Sequence, residues 1–289
     1  MPRRLVWLDG QLRPLEEARI SPLDRGFLFG DGVYEVLPVF DARAYRFDQH
    51  IERLDRSLRE IRMVPALDRA GWLSVLGKLV HGNGGGDCLL YIQVTRGVEP
   101  ERNHVPRPDV RPTVFACVSA LPLLSAETIE HGTQAITAED LRWARCDIKT
   151  VSLLGNVLHR WQAADAGATE AILLRGGWLT EGSTSSVHVV RNGTIATPPQ
   201  TNAILPGTTR GVLFELAARA GIASGRRPVG EQELRDADEI LIASAGGGIR
   251  AVTTLDGRPV GSGRPGAVFR AIHEGFLATK REFSTALPA

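Results

Sequence analysis

The sequence predicts an α+β protein of two domains, 1–121 and 122–289. Its 289 residues are long for one core. β-patterned and helix-patterned stretches mix irregularly, without repeats or low-complexity runs. The apolar, proline-bearing run Ala120-Leu121-Pro122-Leu123-Leu124-Ser125 reads as a linker. Hydrophobic content of 43% and charged content of 23% are those of a soluble globular chain. A net charge of +1 and a pI near 7.8 give no electrostatic case for nucleic acid or an anionic membrane as partner.

Each element has a local signal. Leu5-Val6-Trp7-Leu8, Asp9-Gly10 and Gln11-Leu12 form a hairpin pattern with an Asp-Gly turn. Val33 to Phe40 is β-rich, and Asp41-Ala42 turns the chain into Arg43–Phe47. Asp48 is placed to cap a helix carrying Ile51, Leu54, Leu58 and Ile61. Asp68 opens a second helix through Trp72, Val75, Leu76 and Leu79. Leu89–Thr95 and Thr113–Ser119 read as buried strands around a polar, proline-rich stretch from Arg96 to Pro112. A loop that long inside a domain is usually functional. Further strands are expected at Gly132–Ala138, Ala171–Leu174, Val187–Val190, Glu239–Ala243 and Ile249–Thr254. Helices are expected to begin near Ser152, Thr209 and Pro265.

Several classes of protein are disfavoured. After Met1-Pro2-Arg3-Arg4 only Leu5 to Leu8 precede a turn, too short for a signal-peptide core, and no run approaches membrane-spanning length. Cys88, Cys117 and Cys146 make neither a disulfide framework nor a zinc pattern, and the seven histidines are scattered. The expectation is a cytoplasmic protein without a metal. The glycine runs 82–86 and 246–248 lack the context of a nucleotide loop and read as turns.

Chemistry is suggested by the lysines. Only Lys78, Lys149 and Lys280 are lysine among 34 basic residues. Arginine stays charged, whereas lysine can serve as a nucleophile or Schiff-base amine. A surface lysine spared by the arginine bias is the plain alternative for Lys149. Thr180-Glu181-Gly182-Ser183-Thr184-Ser185-Ser186 offers a carboxylate for a pyridine nitrogen, or else an ordinary exposed turn. Ile204-Leu205-Pro206-Gly207-Thr208-Thr209-Arg210 leads into a helix whose start suits a phosphate, or else is capped by threonine.

Taken in order, these segments resemble the class IV (fold-type IV) pyridoxal-phosphate aminotransferases, and most of all the D-amino acid aminotransferases. The resemblance runs through Asp24-Arg25-Gly26, Phe29 to Val36, His50 to Leu54, Thr95-Arg96-Gly97, Arg145 to Lys149, Leu153 to Asn156, Thr180 to Ser183 and Leu205 to Arg210. It covers nearly the whole chain. It implies a two-domain fold with pyridoxal 5'-phosphate at the domain interface, and Lys149 as the Schiff-base lysine that also shuttles the α-proton. Glu181 would face the pyridine nitrogen and Leu205 the ring. Thr208, Thr209 and Arg53 would hold the phosphate; Arg53's plain alternative is a solvated helix arginine. Ala245 stands where many relatives place a phosphate-binding threonine, so only its N–H remains. Ser186 stands where asparagine is common.

Tyr34-Glu35-Val36 together with Arg102-Asn103-His104 resembles the D-amino acid branch, in which Tyr34, Val36, Arg102 and His104 would receive the substrate and its carboxylate. The alternative for the loop pair is a mobile polar segment, and the loop is one residue longer than usual at Pro100-Glu101-Arg102. The resemblance implies a homodimer acting on D-amino acids such as D-alanine and 2-oxo acids such as 2-oxoglutarate, through pyridoxamine phosphate. Branched-chain L-amino acid and (R)-amine transaminases share the cofactor residues, and aminodeoxychorismate lyase is a further alternative on this scaffold.

Overall fold

In a computed structural model two β-sheets organise the chain, one in each of two units. Residues 4–122 and 124–289 are described. Met1, Pro2 and Arg3 of the expected N-terminal segment, and Leu123 of the expected linker, lie outside them. The first unit runs to Pro122 and also takes Ile148–Ser152 and Lys280–Ala289; the second holds the remainder, to Thr279. The division is therefore not one cut. The strand at 284–286 pairs with the strand at 43–45, which ties the late segment to the first unit.

Among the described residues the first sheet has seven strands, in spatial order Ser284–Ala286, Arg43–Tyr45, Gly32–Phe40, Cys88–Thr95, Thr113–Ser119, Leu5–Leu8 and Gln11–Pro14. The Asp-Gly turn behaves as its sequence predicts: Asp9 (φ 46°) and Gly10 (φ 88°) are both left-handed, the geometry that matches the twist of a two-residue hairpin. Asp41 and Ala42 make the same kind of turn at φ 49° and 53°, without a glycine. Two helices, Phe47–Glu60 and Arg69–Gly82, contribute Leu54, Leu58, Trp72, Leu76 and Leu79 to a core shared with Leu37, Leu90 and Ile92. Each such side chain contributes about 1.5–3 kcal/mol by leaving water.

The second sheet has nine strands among the described residues. Eight follow the order Ser224–Arg226, Thr194–Thr197, Ser186–Arg191, Glu239–Ser244, Gly248–Leu255, Thr133–Glu139, Glu170–Arg175 and Trp178–Gly182, and Arg258–Pro259 pairs aside on Gly248–Leu255. Thr133–Glu139 runs parallel to both its neighbours. Ile172, Val187, Val189, Ile240, Ile242 and Val252 form the buried face. Helices Leu154–Asp165, Thr208–Arg219 and Ala267–Thr279 belong to this unit.

One local expectation is overturned and two others are made definite. Asp48 does not cap its helix: the helix starts at Phe47, behind Arg46 at φ 53°, and Asp48 instead holds the Arg69 guanidinium through both carboxylate oxygens. Arg46 is held in that conformation by its N–H donating to the Phe283 carbonyl, a partner no local pattern reveals. The helix expected near Ser152 begins at Leu154, because the Ser152 hydroxyl donates to the Gly30 carbonyl. Glu181 lies inside the strand Trp178–Gly182 and is buried, so the exposed-turn alternative is excluded. Asp68, by contrast, accepts from the Gly71 N–H as a helix cap should.

Residues 96–112 contain no helix or strand, only an isolated bridge between Asp24 and Val98. The loop is pinched at its base. Gly97 adopts φ +107°, and a Cβ there would stand 1.8 Å from the Arg111 carbonyl oxygen. Gly77 has a comparable reason: a Cβ would meet the Pro288 carbonyl oxygen at 2.1 Å. Gly97→Ala is therefore expected to destabilise the chain by about 2 kcal/mol or more. Urea unfolding followed by tryptophan fluorescence checks this, and an unchanged midpoint contradicts the pinch.

Candidate active site

In the first unit the lysine is held by its backbone. The Tyr34 N–H donates to the Lys149 carbonyl at 2.9 Å, the Val151 N–H to the Gly32 carbonyl at 3.0 Å, and the Lys149 N–H to the Ser57 hydroxyl at 3.3 Å. Ile148 is buried in the first core. Lys149 Nζ stands 4.2 Å from the centre of the Tyr34 ring, which stacks on Tyr91 at 5.7 Å. Lys149 is only partly exposed.

Strand alternation then separates the Tyr34-Glu35-Val36 triplet. Tyr34 and Val36 are partly exposed on one face, while Glu35 is fully buried on the other with Val33, Leu37 and Val39. Glu35 accepts from Arg53 Nε at 2.7 Å and Nη2 at 2.8 Å, and lies 2.7 Å from His50 Nδ1. Burial alone would raise the Glu35 carboxyl, but the charges of Arg53 and His50, and their hydrogen bonds, hold it well below the usual carboxylate range. Arg53 is buried on this carboxylate, not a solvated helix arginine.

The loop residues gather elsewhere in the same unit. The Arg102 guanidinium lies 4.7 Å over the Phe29 ring, and the His104 ring centre is 5.3 Å from Phe29. Tyr34 packs with Lys149; Arg102 and His104 pack on Phe29.

In the second unit Glu181 is the centre. Its Oε1 accepts from Arg142 Nη1 at 2.5 Å and its Oε2 from the Leu205 N–H at 3.1 Å. Arg142 also clasps Asp140, donating from Nε and Nη2 at 2.9 Å each, and Asp140 accepts from Arg175 and the Thr180 hydroxyl. Burial raises the Glu181 carboxyl above its ordinary value, against the pull of Arg142 and of the Leu205 N–H. The bond to the Leu205 N–H joins Glu181 to the segment leading into the helix Thr208–Arg219. That helix starts behind Gly207, which has no side chain to cap it, so threonine does not serve as the N-cap. Thr209 is buried in the first turn. Ala245 is half-buried in the turn after Glu239–Ser244, where the Ser244 hydroxyl accepts from the Gly247 N–H.

Sequence reasoning missed Glu35, His50, Arg142 and Glu170 as site-shaping residues. For Glu35 a signal existed: it interrupts the apolar face Val33, Leu37, Val39 of one strand. His50, Arg53 and Ser57 likewise form a polar stripe at helical spacing beside Phe47, Ile51, Leu54 and Leu58. Glu170 is fully buried, takes hydrogen bonds from the hydroxyls of Ser183, Thr184 and Ser185, and so orders the segment after Glu181.

Glu35→Gln leaves Arg53 without its counter-charge and is expected to cost about 3 kcal/mol at pH 7. A carboxyl with a lowered folded-state pKa stabilises above its unfolded value of about 4.3, and this contribution fades as pH falls below it. The gap between wild type and variant should therefore narrow between about pH 5 and pH 3. Urea midpoints across that range test it.

The comparisons with known proteins follow the same residues. The model of the family described as amino-transferase class IV matches residues 32–255. A D-alanine aminotransferase of Staphylococcus aureus (strain MSSA476) is 38% identical over 272 residues, 94% of this chain and 96% of that protein. One of Bacillus licheniformis is 39% identical, covering 92% of this chain and 94% of that protein. Among solved structures, the Escherichia coli branched-chain amino acid aminotransferase superposes with a TM-score of 0.93 at 22% identity, over 99% of this chain and all of that one, which shows the fold. A hypothetical aminotransferase from Mycobacterium tuberculosis in its PLP-bound form gives 0.82 at 26% identity, over 96% of this chain and 99% of that one. With the anchored lysine of one unit and the buried glutamate and helix start of the other, these matches establish that the chain belongs to the class IV aminotransferases, enzymes of fold type IV that depend on pyridoxal phosphate.

Proposed function

We propose that this chain is a D-amino acid aminotransferase, moving an amino group between a D-amino acid such as D-alanine and a 2-oxo acid such as 2-oxoglutarate. The observation that carries the reading is the pair Arg102 and His104 gathered on Phe29, a cation and an imidazole suited to a carboxylate. Identity of 36–39% to D-alanine aminotransferases along nearly the whole chain supports it.

The donor set fits pyridoxal phosphate. It offers a lysine amine held against an aromatic ring, a buried carboxylate pinned by Arg142, and a helix start with no capping side chain. When bound, the cofactor supplies an electron sink for charge developing at the substrate α-carbon. Lys149 Nζ moves the proton at that carbon. Glu181 keeps a proton on the ring nitrogen, and the Arg142–Asp140 pair holds Glu181 in place. Leu205 would face the ring. The N–H groups of Thr208, Thr209 and Ala245 and the Thr209 hydroxyl would hold the phosphate, with Arg53 as the charged partner. Tyr34, Val36, Arg102 and His104 receive the substrate.

We propose further that the protein acts as a homodimer in the cytoplasm, with the loop 96–112 completing the partner's site. The helix Leu154–Asp165 turns Leu154, Val157, Leu158 and Trp161 to the surface at helical spacing, near Leu141 and Trp143 in sequence, an apolar stripe suited to a second copy. Cys88, Cys117 and Cys146 are free thiols, in keeping with a reducing compartment. Among the described residues no helix is long and apolar enough to cross a membrane.

Incubation with D-alanine and 2-oxoglutarate, beside L-leucine and (R)-1-phenylethylamine, tests the substrate reading; preference for either of the latter overturns it. Lys149→Ala should lose at least about three powers of ten in turnover. Borohydride should fix the cofactor on the peptide containing Lys149, and a label on Lys78 or Lys280 contradicts the assignment. Sedimentation should give a dimer, and a fully active monomer refutes it.

A further inference from the structure

The short helix Arg25–Phe29 carries two residues that the reaction as described does not use, and both reach the loop 96–112. Arg25 is only 4% exposed. Its backbone N–H donates to the Gly97 carbonyl at 2.8 Å. Its Nε donates to Asp31 at 2.9 Å, and Nη1 to Glu99 at 2.6 Å and to the Asn103 carbonyl at 2.5 Å. Nη2 donates to the His104 carbonyl at 3.0 Å. Glu99 is itself buried and takes the Arg107 N–H at 2.7 Å on its other oxygen. Residues 101–105 are exposed and belong to no helix or strand. One buried guanidinium therefore holds two backbone carbonyls of the Arg102–His104 segment, those of Asn103 and His104, and the Glu99 carboxylate that precedes it.

The side chains are arranged by the same helix. Phe29 lies 4.9 Å from the Arg25 guanidinium carbon, 4.7 Å from that of Arg102 and 5.3 Å from the His104 ring centre. Cations are attracted to an aromatic face, and an imidazole packs against it, so one ring locates both.

We infer that Arg25 is a positioning residue for the substrate carboxylate, acting through the loop backbone, with Phe29 as the platform that sets Arg102 and His104. The inference rests on the assignment of Arg102 and His104 as carboxylate partners. Lysine cannot replace Arg25, because one ammonium nitrogen cannot span Asp31, Glu99 and two carbonyls at once.

The test uses the cofactor-loaded enzyme and Arg25→Lys. Amide exchange in peptides covering 98–112 should quicken, while those covering 32–40 should not. KM for D-alanine should rise about tenfold, with kcat within about threefold. In an Arg102→Ala, His104→Ala background, Arg25→Lys should add less than about twofold, because it acts only through those two side chains. Phe29→Leu leaves the Arg25 bonds in place and should raise KM for D-alanine about threefold without quickening loop exchange. Unchanged loop exchange in Arg25→Lys, a KM effect that multiplies in full with the double variant, or an unchanged KM in Phe29→Leu overturns the inference. Should the Arg102→Ala, His104→Ala enzyme keep its wild-type KM for D-alanine, the carboxylate assignment itself fails, whatever Arg25→Lys does to loop exchange.

Discussion

A carboxylate taken out of water must be surrounded by donors, or several kcal/mol of hydration are lost without return. Asp24, Glu35, Glu170 and Glu181 are all buried, and each is satisfied by organising a particular piece of chain. Asp24 accepts from the Gly26 N–H and from the hydroxyls of Thr95 and Thr113, which closes the two ends of the loop 96–112. Glu35 orients His50 and Arg53 on their helix. Glu170 gathers three hydroxyls behind Glu181, and Glu181 draws in Arg142 and the Leu205 N–H. Site residues on loops and strand ends thereby gain fixed positions that local backbone preference would not provide.

Much of this was legible where the cause lies within a few residues. The Asp9-Gly10 hairpin, the Asp68 cap and the strands at 88–95 and 113–119 follow from turn chemistry and alternation. The fold type and the lysine, glutamate and helix-start segments were legible through their order along the chain. What stayed hidden depends on partners far away in sequence. Arg46 adopts its helix-starting conformation because of the Phe283 carbonyl, and Arg142 meets a glutamate 39 residues on. The glycine and hydroxyls after Glu181 leave an exposed turn open as an alternative in the sequence, yet the strand continues through Gly182. Arg25 appears in sequence only as part of a family segment, since nothing local shows that its guanidinium reaches Glu99 and His104.

The assembly of the first unit from three separated stretches bears on how the chain is made. Its sheet gains an edge strand only from Ser284–Ala286, and the segment holding Lys149 joins Gly32 and Tyr34 after more than a hundred intervening residues have been translated. During synthesis the strand Arg43–Tyr45 must therefore wait as an unpaired edge while the whole second unit emerges. An edge left open for that time is the kind other chains add to. Arg43 at the start of that strand and Arg46 just past its end place charge where a nascent sheet is most exposed to pairing with a neighbour on the same messenger.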